Sequence, residues 1–194
     1  MIDRIWAPSA ANFTRRKLLG TARTMTLSAF AVALLAGRPS LAAEPAAGTS
    51  DDVELLDTAL VLEHQAIAAY QIGIESGLLQ KAVLDIALQF QGDHKKHAEL
   101  VTATIVKLGG KPVKLRKITE YGVPIDKIKT QTDVIKFAIE LEHGAALAYV
   151  STIPVFTNRE IAHAAATILG TETIHWAVLR KALGLNPDAS AFIS

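Results

Sequence analysis

The chain has 194 residues, half of them apolar, with a formal net charge of +1 and no cysteine. The high apolar content excludes an intrinsically disordered chain. The lack of cysteine excludes a disulfide scaffold and a thiolate metal site. A net charge so close to zero argues against a nucleic-acid-binding protein, because such proteins usually carry a basic excess.

The net charge is an average over two unlike segments. Residues 1–42 contain six basic residues and one acid. Subtracting these from the 20 basic and 19 acidic residues of the chain leaves 14 basic and 18 acidic residues, so residues 43–194 carry a formal charge of −4. The two segments therefore need separate interpretations.

Residues 1–42 have the features of an export signal. The segment Thr14-Arg15-Arg16-Lys17-Leu18-Leu19-Gly20 resembles the twin-arginine motif, and an apolar stretch from Met25 to Gly37 follows it. This stretch is shorter than the ~20 residues that span a bilayer, and Ser40-Leu41-Ala42 has the pattern of a cleavage site. We predict export to the periplasm, or otherwise out of the cytoplasm, of a bacterium by the twin-arginine machinery. An uncleaved N-terminal membrane anchor is the alternative.

The export route bears on the chemistry. The signal resembles those of proteins that fold, and often load a cofactor, before they cross the membrane. It therefore raises the expectation of a metal or another cofactor in the exported domain.

Four helices are predicted after a flexible segment at 43–49. The predicted boundaries are about 50–74, 79–108, 132–153 and 157–184, with caps at the starts and glycine or proline at the ends. The connections are short, long and short, which is the connectivity of a bundle with one crossover. We predict an all-α, antiparallel four-helix bundle over residues 50–185, with the long crossover between helices 2 and 3. A C-terminal tail at 186–194 follows, and the mature chain has no predicted transmembrane helix.

The two halves of this bundle are related by an internal repeat. Residues 62–70 match residues 141–149 at an offset of 79, and residues 92–97 match residues 170–175 at an offset of 78. The nearly equal offsets indicate that two helical hairpins correspond as units.

Each predicted helix carries ionisable residues in the middle of its apolar stripe. They are Glu63, His94, His97, Glu142, Glu172 and His175. A buried, unpaired carboxylate costs several kcal/mol, so three of them would approach the ~5–15 kcal/mol stability of a whole domain. No lysine or arginine lies in these stripes. A pair of divalent cations is the favoured compensation, and a polar core of carboxylates and protonated histidines is the alternative.

The order and spacing of these residues resemble the ferritin-like carboxylate proteins, in which two helices each give one Glu and two each give Glu-x-x-His. Here the pattern is Glu63, His94-x-x-His97, Glu142 and Glu172-x-x-His175, and the resemblance covers about residues 53–184. It implies two divalent metal ions, with iron first and manganese second. His94 departs from the pattern because it stands where the family has a Glu. Asp93 lies about 100° away around the helix, which makes it a poor substitute.

Four further residues lie near this pattern. His64 and His143 each follow a predicted ligand Glu, and we predict that they orient the carboxylates, with boundary histidines as the alternative. Tyr70 and Tyr149 lie near the predicted metals, with ordinary core aromatic residues as the alternative.

A second Glu-x-x-His motif, Glu160 to His163, is predicted to be a decoy. It lies about 120° around and about 18 Å along the helix from the pair Glu172 and His175.

The resemblance implies ferroxidase, peroxidase or catalase-like activity. We predict an exported di-metal redox protein whose partners are metal ions, small oxidants such as dioxygen or peroxide, and the export machinery, with no nucleic acid. The alternative is a non-catalytic protective or metal-buffering bundle of the cell envelope. The sequence leaves open the metal, turnover, the electron donor and the oligomeric state.

Overall fold

The computed structural model describes residues 49–188 and residue 193. The predicted export signal, the segment before the first helix and most of the predicted tail lie outside the described residues. Within them are four long helices: α1, Thr49–Glu75; α2, Lys81–Lys107; α3, Gln131–Thr152; and α4, Arg159–Ala182. The described part of the chain contains no strand. The predicted all-α bundle with one long crossover, between α2 and α3, is confirmed.

Side chains cap the starts of α3 and α4, whereas the Gln80 side chain makes no capping hydrogen bond at the start of α2. Thr130 and Asp133 form a capping box at the start of α3, and the Asn158 side chain accepts a hydrogen bond from the backbone of Glu160 at the start of α4. Such caps satisfy backbone N–H groups that have no partner within the helix. The α3 helix ends at Thr152, just before a short 3₁₀ turn that contains a proline.

A buried carboxylate joins the starts of α1 and α4. Asp52 is only 2% exposed and accepts hydrogen bonds from the Thr157 backbone, the Thr157 hydroxyl and the Asn158 backbone at 2.8, 2.8 and 3.1 Å. This acid in the first turn of α1 therefore binds the N-terminal end of α4. This contact holds two helix starts at the same end of the bundle.

The crossover between α2 and α3 is fixed along α1. The backbone N–H of Val113 donates to Asp57 at 3.0 Å, and the amide of Gln65 donates to the carbonyl of Tyr121 at 3.1 Å. Tyr121 is almost fully buried, and its hydroxyl accepts a hydrogen bond from the backbone of Arg116. The crossover is thus an ordered strap that contacts α1 at two points.

The apolar core is divided into two clusters. One lies around Leu60, Ile105 and Ile168, and the other lies around Phe90, Ile135 and Leu179. Both contain residues from opposite hairpins, so they hold the two halves of the bundle together. None of the helices in residues 49–188 combines the length and the hydropathy needed to cross a membrane.

Candidate metal centre

The six residues predicted as ligands converge in the bundle interior, although they come from all four helices. Five of them are at most 2% exposed, and the side chain of His97 is 12% exposed. Their ligand atoms form two overlapping groups, within each of which the atoms lie within 4.8 Å of one another. One group consists of Glu63, His94, His97 and Glu172, and the other consists of His94, Glu142, Glu172 and His175.

His94 occupies the position at which the sequence departs from the family pattern. Its Nδ1 lies 2.8 Å from Glu63 Oε2, and its Nε2 lies 3.2 Å from Glu142 Oε1. One imidazole ring therefore connects a carboxylate of α1 with a carboxylate of α3. Both ring nitrogens can act as donors only when the ring is protonated.

Glu172 is the one carboxylate that belongs to both groups. Its Oε1 lies 3.0 Å from His97 Nδ1 and 3.8 Å from His94 Nδ1. On the other side of the cluster, His175 Nδ1 lies 3.5 Å from Glu142 Oε2. Phe90 stacks on the His175 ring with a centroid separation of 3.8 Å, which separates that ring from solvent.

Tyr70 and Tyr149 support the carboxylates of the opposite hairpin. The hydroxyl of Tyr70 donates to Glu142 Oε1, and the hydroxyl of Tyr149 donates to Glu63 Oε1 at 2.8 Å. Both tyrosines also pack in the apolar clusters. Each ring therefore lies in the core and each hydroxyl binds a carboxylate of the cluster, while a role of these tyrosines beside metal ions stays a prediction.

Without a cation, protons balance the charges of this cluster. Burial alone would raise the pKa of Glu63, but the hydrogen bond from His94 and the contact with His97 lower it to about 2. Burial likewise opposes the lowered pKa of Glu142, which contacts with His94 and His175 produce. Burial is the main reason that the pKa of Glu172 rises to about 8.

The pKa values of His94 and His97 shift upward, opposite to those of Glu63 and Glu142. Burial would lower the pKa of His94, but Glu142 and Glu63 raise it well above its usual value. Burial would also lower the pKa of His97, yet its contacts with Glu172 and Glu63 raise it to about 9. The polar core of carboxylates and protonated histidines, named as an alternative from the sequence, is thus formed in part.

This network does not satisfy its own hydrogen-bonding groups. Five buried atoms of the cluster make no hydrogen bond of good geometry: Glu142 Oε2, both carboxylate oxygens of Glu172, and Nδ1 of His97 and His175. Four of them face one another, with His97 Nδ1 3.0 Å from Glu172 Oε1 and His175 Nδ1 3.5 Å from Glu142 Oε2. Buried polar atoms are normally paired, because an unpaired one costs about 1–3 kcal/mol. All five are carboxylate oxygens or imidazole nitrogens, which are ligand atoms for metal ions. Imidazole suits iron among other metals, and carboxylate suits manganese. The residues present therefore fit a group of divalent cations.

The remaining residues singled out from the sequence belong to neither ligand group. His64 is half-buried, its Nδ1 has no hydrogen-bond partner, and burial lowers its pKa. His143 stacks on Trp176 with a centroid separation of 4.9 Å. An orienting role for these two histidines stays a prediction. Glu160 and His163 are both exposed and belong to neither ligand group, as expected of a decoy.

Asp93, a poor ligand by its position around α2, contacts one of the predicted ligands, His175. Its Oδ2 lies 3.5 Å from His175 Nε2, whereas the other ring nitrogen, Nδ1, lies 3.5 Å from Glu142 Oε2. A carboxylate at one ring nitrogen fixes the tautomer and the orientation of a metal-binding imidazole. The angle around α2 made Asp93 a poor substitute ligand, and Asp93 belongs to neither ligand group. Its contact with His175 could not be predicted, because that ring is brought beside it by another helix, α4.

Comparisons with known proteins support the same architecture. Residues 51–185 match the model of the ferritin-like domain. A crystal structure of a conserved hypothetical protein from Mycobacterium tuberculosis is similar with a TM-score of 0.63 and 20% sequence identity, over 75% of this chain and 99% of that chain. A search of curated proteins finds no match. Because the domain model covers most of the sequence and the four helices have the matching arrangement, the chain belongs to the ferritin-like domain family.

Proposed function

We propose that the chain is an exported protein in which the six clustered side chains hold two divalent metal ions, iron by preference and manganese next. The proposed activity is redox chemistry with ferrous iron, dioxygen or peroxide. The observation that carries this proposal is the set of five buried ligand atoms that make no hydrogen bond of good geometry. A core built only for stability would leave fewer such atoms unpaired.

The proposed ligand sets follow from the two groups of atoms. Glu63 and His97 would serve one ion and Glu142 and His175 would serve the other, while His94 and Glu172 belong to both groups and could serve either ion. Bound iron would supply one-electron redox chemistry at this site, and carboxylate with imidazole is a donor set that suits it.

The chain's own residues would prepare the site for that chemistry. The three carboxylates offset the positive charge of the ions, and the hydroxyls of Tyr70 and Tyr149 fix the oxygens of two of these carboxylates. The apolar clusters on both sides exclude bulk water, which strengthens electrostatic interactions within the site. His97 is the most exposed member of the set, so a small oxidant would approach from its side.

Two small apolar cavities are consistent with small, uncharged reactants. One of about 30 Å³ is lined by Tyr70, and one of about 20 Å³ is lined by Tyr149. Each is large enough for a molecule of the size of water. The tyrosines that brace the carboxylates therefore also form part of the walls of these cavities.

A non-catalytic, metal-buffering or protective bundle is the second candidate. It is favoured by the proton-balanced contacts of His94 with Glu63 and Glu142, which complete part of the cluster in the absence of metal. The two candidates share the metal site and differ in whether the bound ions react.

One experiment separates these outcomes. The purified chain is reconstituted anaerobically with ferrous iron, and bound iron and the near-ultraviolet spectrum are measured before and after addition of dioxygen or hydrogen peroxide. We expect two iron ions per chain and a spectral change on oxidation. Bound iron that does not react favours the second candidate, and the absence of bound iron overturns the proposal.

A pair of variants tests the ligand assignment. Glu142→Ala removes a buried member of the cluster, and Glu140→Ala removes an exposed carboxylate two residues earlier on the same helix. We expect Glu142→Ala to lose at least one of the two ions and Glu140→Ala to retain both. Full metal content in Glu142→Ala would contradict the assignment.

A further inference from the structure

The basic residues of the chain after residue 42 are concentrated in one segment, 107–129, which consists of Lys107, the last residue of α2, and nearly all of the crossover; it is called the crossover segment. Residues 107–129 contain seven of the 14 basic residues of residues 43–194 and only two of the 18 acids. The rest of that region therefore has seven basic and 16 acidic residues. All seven basic side chains of the crossover segment are exposed, and none belongs to an ion pair among the described residues. One side of an acidic domain thus carries a concentrated positive charge.

Aliphatic side chains project from the same segment. Leu115 is 68% exposed, Ile118 is 41% exposed and Ile125 is 51% exposed. Leu115 and Ile118 alternate with three of the basic residues in the run Lys114-Leu115-Arg116-Lys117-Ile118. Exposed aliphatic groups flanked by lysine and arginine are typical of segments that bind at a membrane interface.

The fold holds this segment in place and directs it outward. The backbone of Val113 and the carbonyl of Tyr121 are hydrogen-bonded to α1, on either side of the exposed run. Tyr121 faces inward and is 1% exposed, whereas Leu115 and Ile118 do not pack in either core cluster. The basic and aliphatic side chains are therefore presented by an ordered strap, which reduces the entropy lost when they bind a surface.

We propose that the crossover segment, residues 107–129, binds the surface of a membrane rich in anionic phospholipid. The positive charges attract the lipid headgroups, and Leu115, Ile118 and Ile125 enter the boundary between headgroups and acyl chains. The bundle contacts the membrane through this segment, and the rest of the domain, which is acidic, faces away from the lipid. This surface is independent of the proposed metal site.

The same features disfavour a nucleic acid as the partner. Tyr121 is the sole aromatic residue of the segment and it is buried, so the segment offers no platform for stacking bases. A long polyanion would also meet the acidic remainder of the domain, whereas a bilayer contacts only the basic side. Nucleic acid and an acidic protein are accordingly the competing outcomes of the test.

The experiment uses the full chain and a reporter at the proposed surface. Because the chain contains no cysteine, Leu115→Cys introduces a single site for an environment-sensitive fluorophore. Ile174→Cys, at a 62% exposed position on α4, is the matched control. We expect vesicles of phosphatidylglycerol to shift the emission of the label at position 115 to the blue, and phosphatidylcholine vesicles to leave it unchanged. The label at position 174 should not respond to either.

Two variants with the same change in net charge test whether the basic residues of the crossover segment attract the anionic headgroups. The first replaces four basic residues of the segment by Gln: Lys111, Lys114, Arg116 and Lys117. The second replaces four exposed basic residues elsewhere by Gln: Lys81, Lys136, Arg159 and Lys181. Each basic residue near an anionic surface contributes roughly fivefold to binding, so the first variant should bind phosphatidylglycerol vesicles at least tenfold more weakly, and the second should bind like the parent. Residues 1–42 are identical in all variants, so their contribution cancels in the comparison.

Several outcomes would overturn the proposal. An equal response of the labels at positions 115 and 174 would place the contact elsewhere. Equal binding of the two charge variants would show that the crossover charge is not involved. A shift at position 115 caused by DNA or RNA and not by phosphatidylglycerol would assign the surface to a nucleic acid, and a shift that needs only higher protein concentration would assign it to self-association.

Discussion

Tyr149 on α3 donates a 2.8 Å hydrogen bond to Glu63 on α1. Tyr70 on α1 donates in turn to Glu142 on α3, so two tyrosine–carboxylate pairs connect the same two helices in opposite directions. Burial first, and the neighbouring carboxylates second, raise the pKa of both tyrosines well above the usual value. Both hydroxyls therefore remain protonated donors at any ordinary pH.

Removing one of these hydroxyls should weaken both the fold and the site. Hydrogen bonds to charged groups contribute about 1.5–3 kcal/mol, so we expect Tyr149→Phe to lower the free energy of unfolding of the metal-free chain by about that amount. Urea denaturation measures the change. We also expect weaker iron binding, because Glu63 is then less firmly oriented.

Tyr121→Phe is the matched control for this variant. It removes a buried hydroxyl that accepts a hydrogen bond from the backbone of Arg116, outside the metal cluster. Its stability should fall while iron binding stays at the parent level. Equal iron affinity in Tyr149→Phe and the parent would mean that the bond to Glu63 has no part in positioning the ligand.

We expect the ionised carboxylate of Glu172 to lower the stability of the metal-free fold at high pH. Its pKa is raised to about 8, mainly by burial, although His97 Nδ1 lies 3.0 Å from one of its oxygens. Protonated Glu172 therefore contributes to the free energy of unfolding. This contribution is fully present below pH 4.5 and is lost as the pH rises through about 8. Glu172→Gln keeps the shape and cannot ionise. We expect the metal-free variant to have a higher melting temperature than the parent at pH 9 and a similar one at pH 5, and the reverse order at pH 9 would contradict the account.

The metal-free parent should be most stable in mildly acidic solution. The pKa of His97 is raised to about 9, and that of His94 is also raised, because their protonated forms are favoured in the folded chain. Their contribution to the free energy of unfolding is fully present below pH 6.5 and is lost at higher pH. The lowered pKa of Glu63, about 2, and the lowered pKa of Glu142 give stability that is present above pH 4.5 and is lost in acid.

A series of melting temperatures at different pH values checks this prediction. We expect a maximum between about pH 4.5 and 6.5 without metal. Iron should move the maximum to higher pH, because ligands must lose their protons to bind a metal. A metal-free maximum at pH 8 or above would show that the cluster is not balanced by protons in the way described.

Asp93 should tune the metal site through His175. Its carboxylate lies 3.5 Å from His175 Nε2, and losing such a partner of a metal-binding imidazole typically lowers metal affinity by about 10–100-fold. We expect Asp93→Asn to weaken iron binding by an amount in this range. Asp85→Asn, at an exposed aspartate on the same helix that pairs with Lys81, should leave iron binding unchanged.

The fold and the composition of the cluster could be predicted because both depend on helical spacing. Apolar periodicity, caps and proline positions placed the helix ends within about two residues. The start of α2, for example, was predicted at 79 and lies at Lys81. Glu172 and His175 are three residues apart, so they share one helix face, and the internal repeat indicated that the two hairpins bring equivalent faces together.

Features that depend on contacts between distant segments could not be predicted. The crossover has no periodicity, so nothing in its sequence indicated that Tyr121 turns inward while Leu115 remains exposed. The hydrogen bond that Thr157 donates to Asp52 joins residues 105 positions apart. The pairing of His94 with Glu63 and Glu142 likewise depends on the distances between three helices, and this pairing creates the proton-balanced core.

The most direct test of the central claim is the number of iron ions bound per chain in the parent and in Glu172→Gln, with Glu140→Gln as the control. Glu172 is the carboxylate shared by both ligand groups, and Glu140 is exposed on α3. The account predicts two ions in the parent and in Glu140→Gln after anaerobic reconstitution, and at most one, weakly held, in Glu172→Gln. A parent that binds no iron, or a Glu172→Gln variant that binds two ions as tightly as the parent, would contradict it.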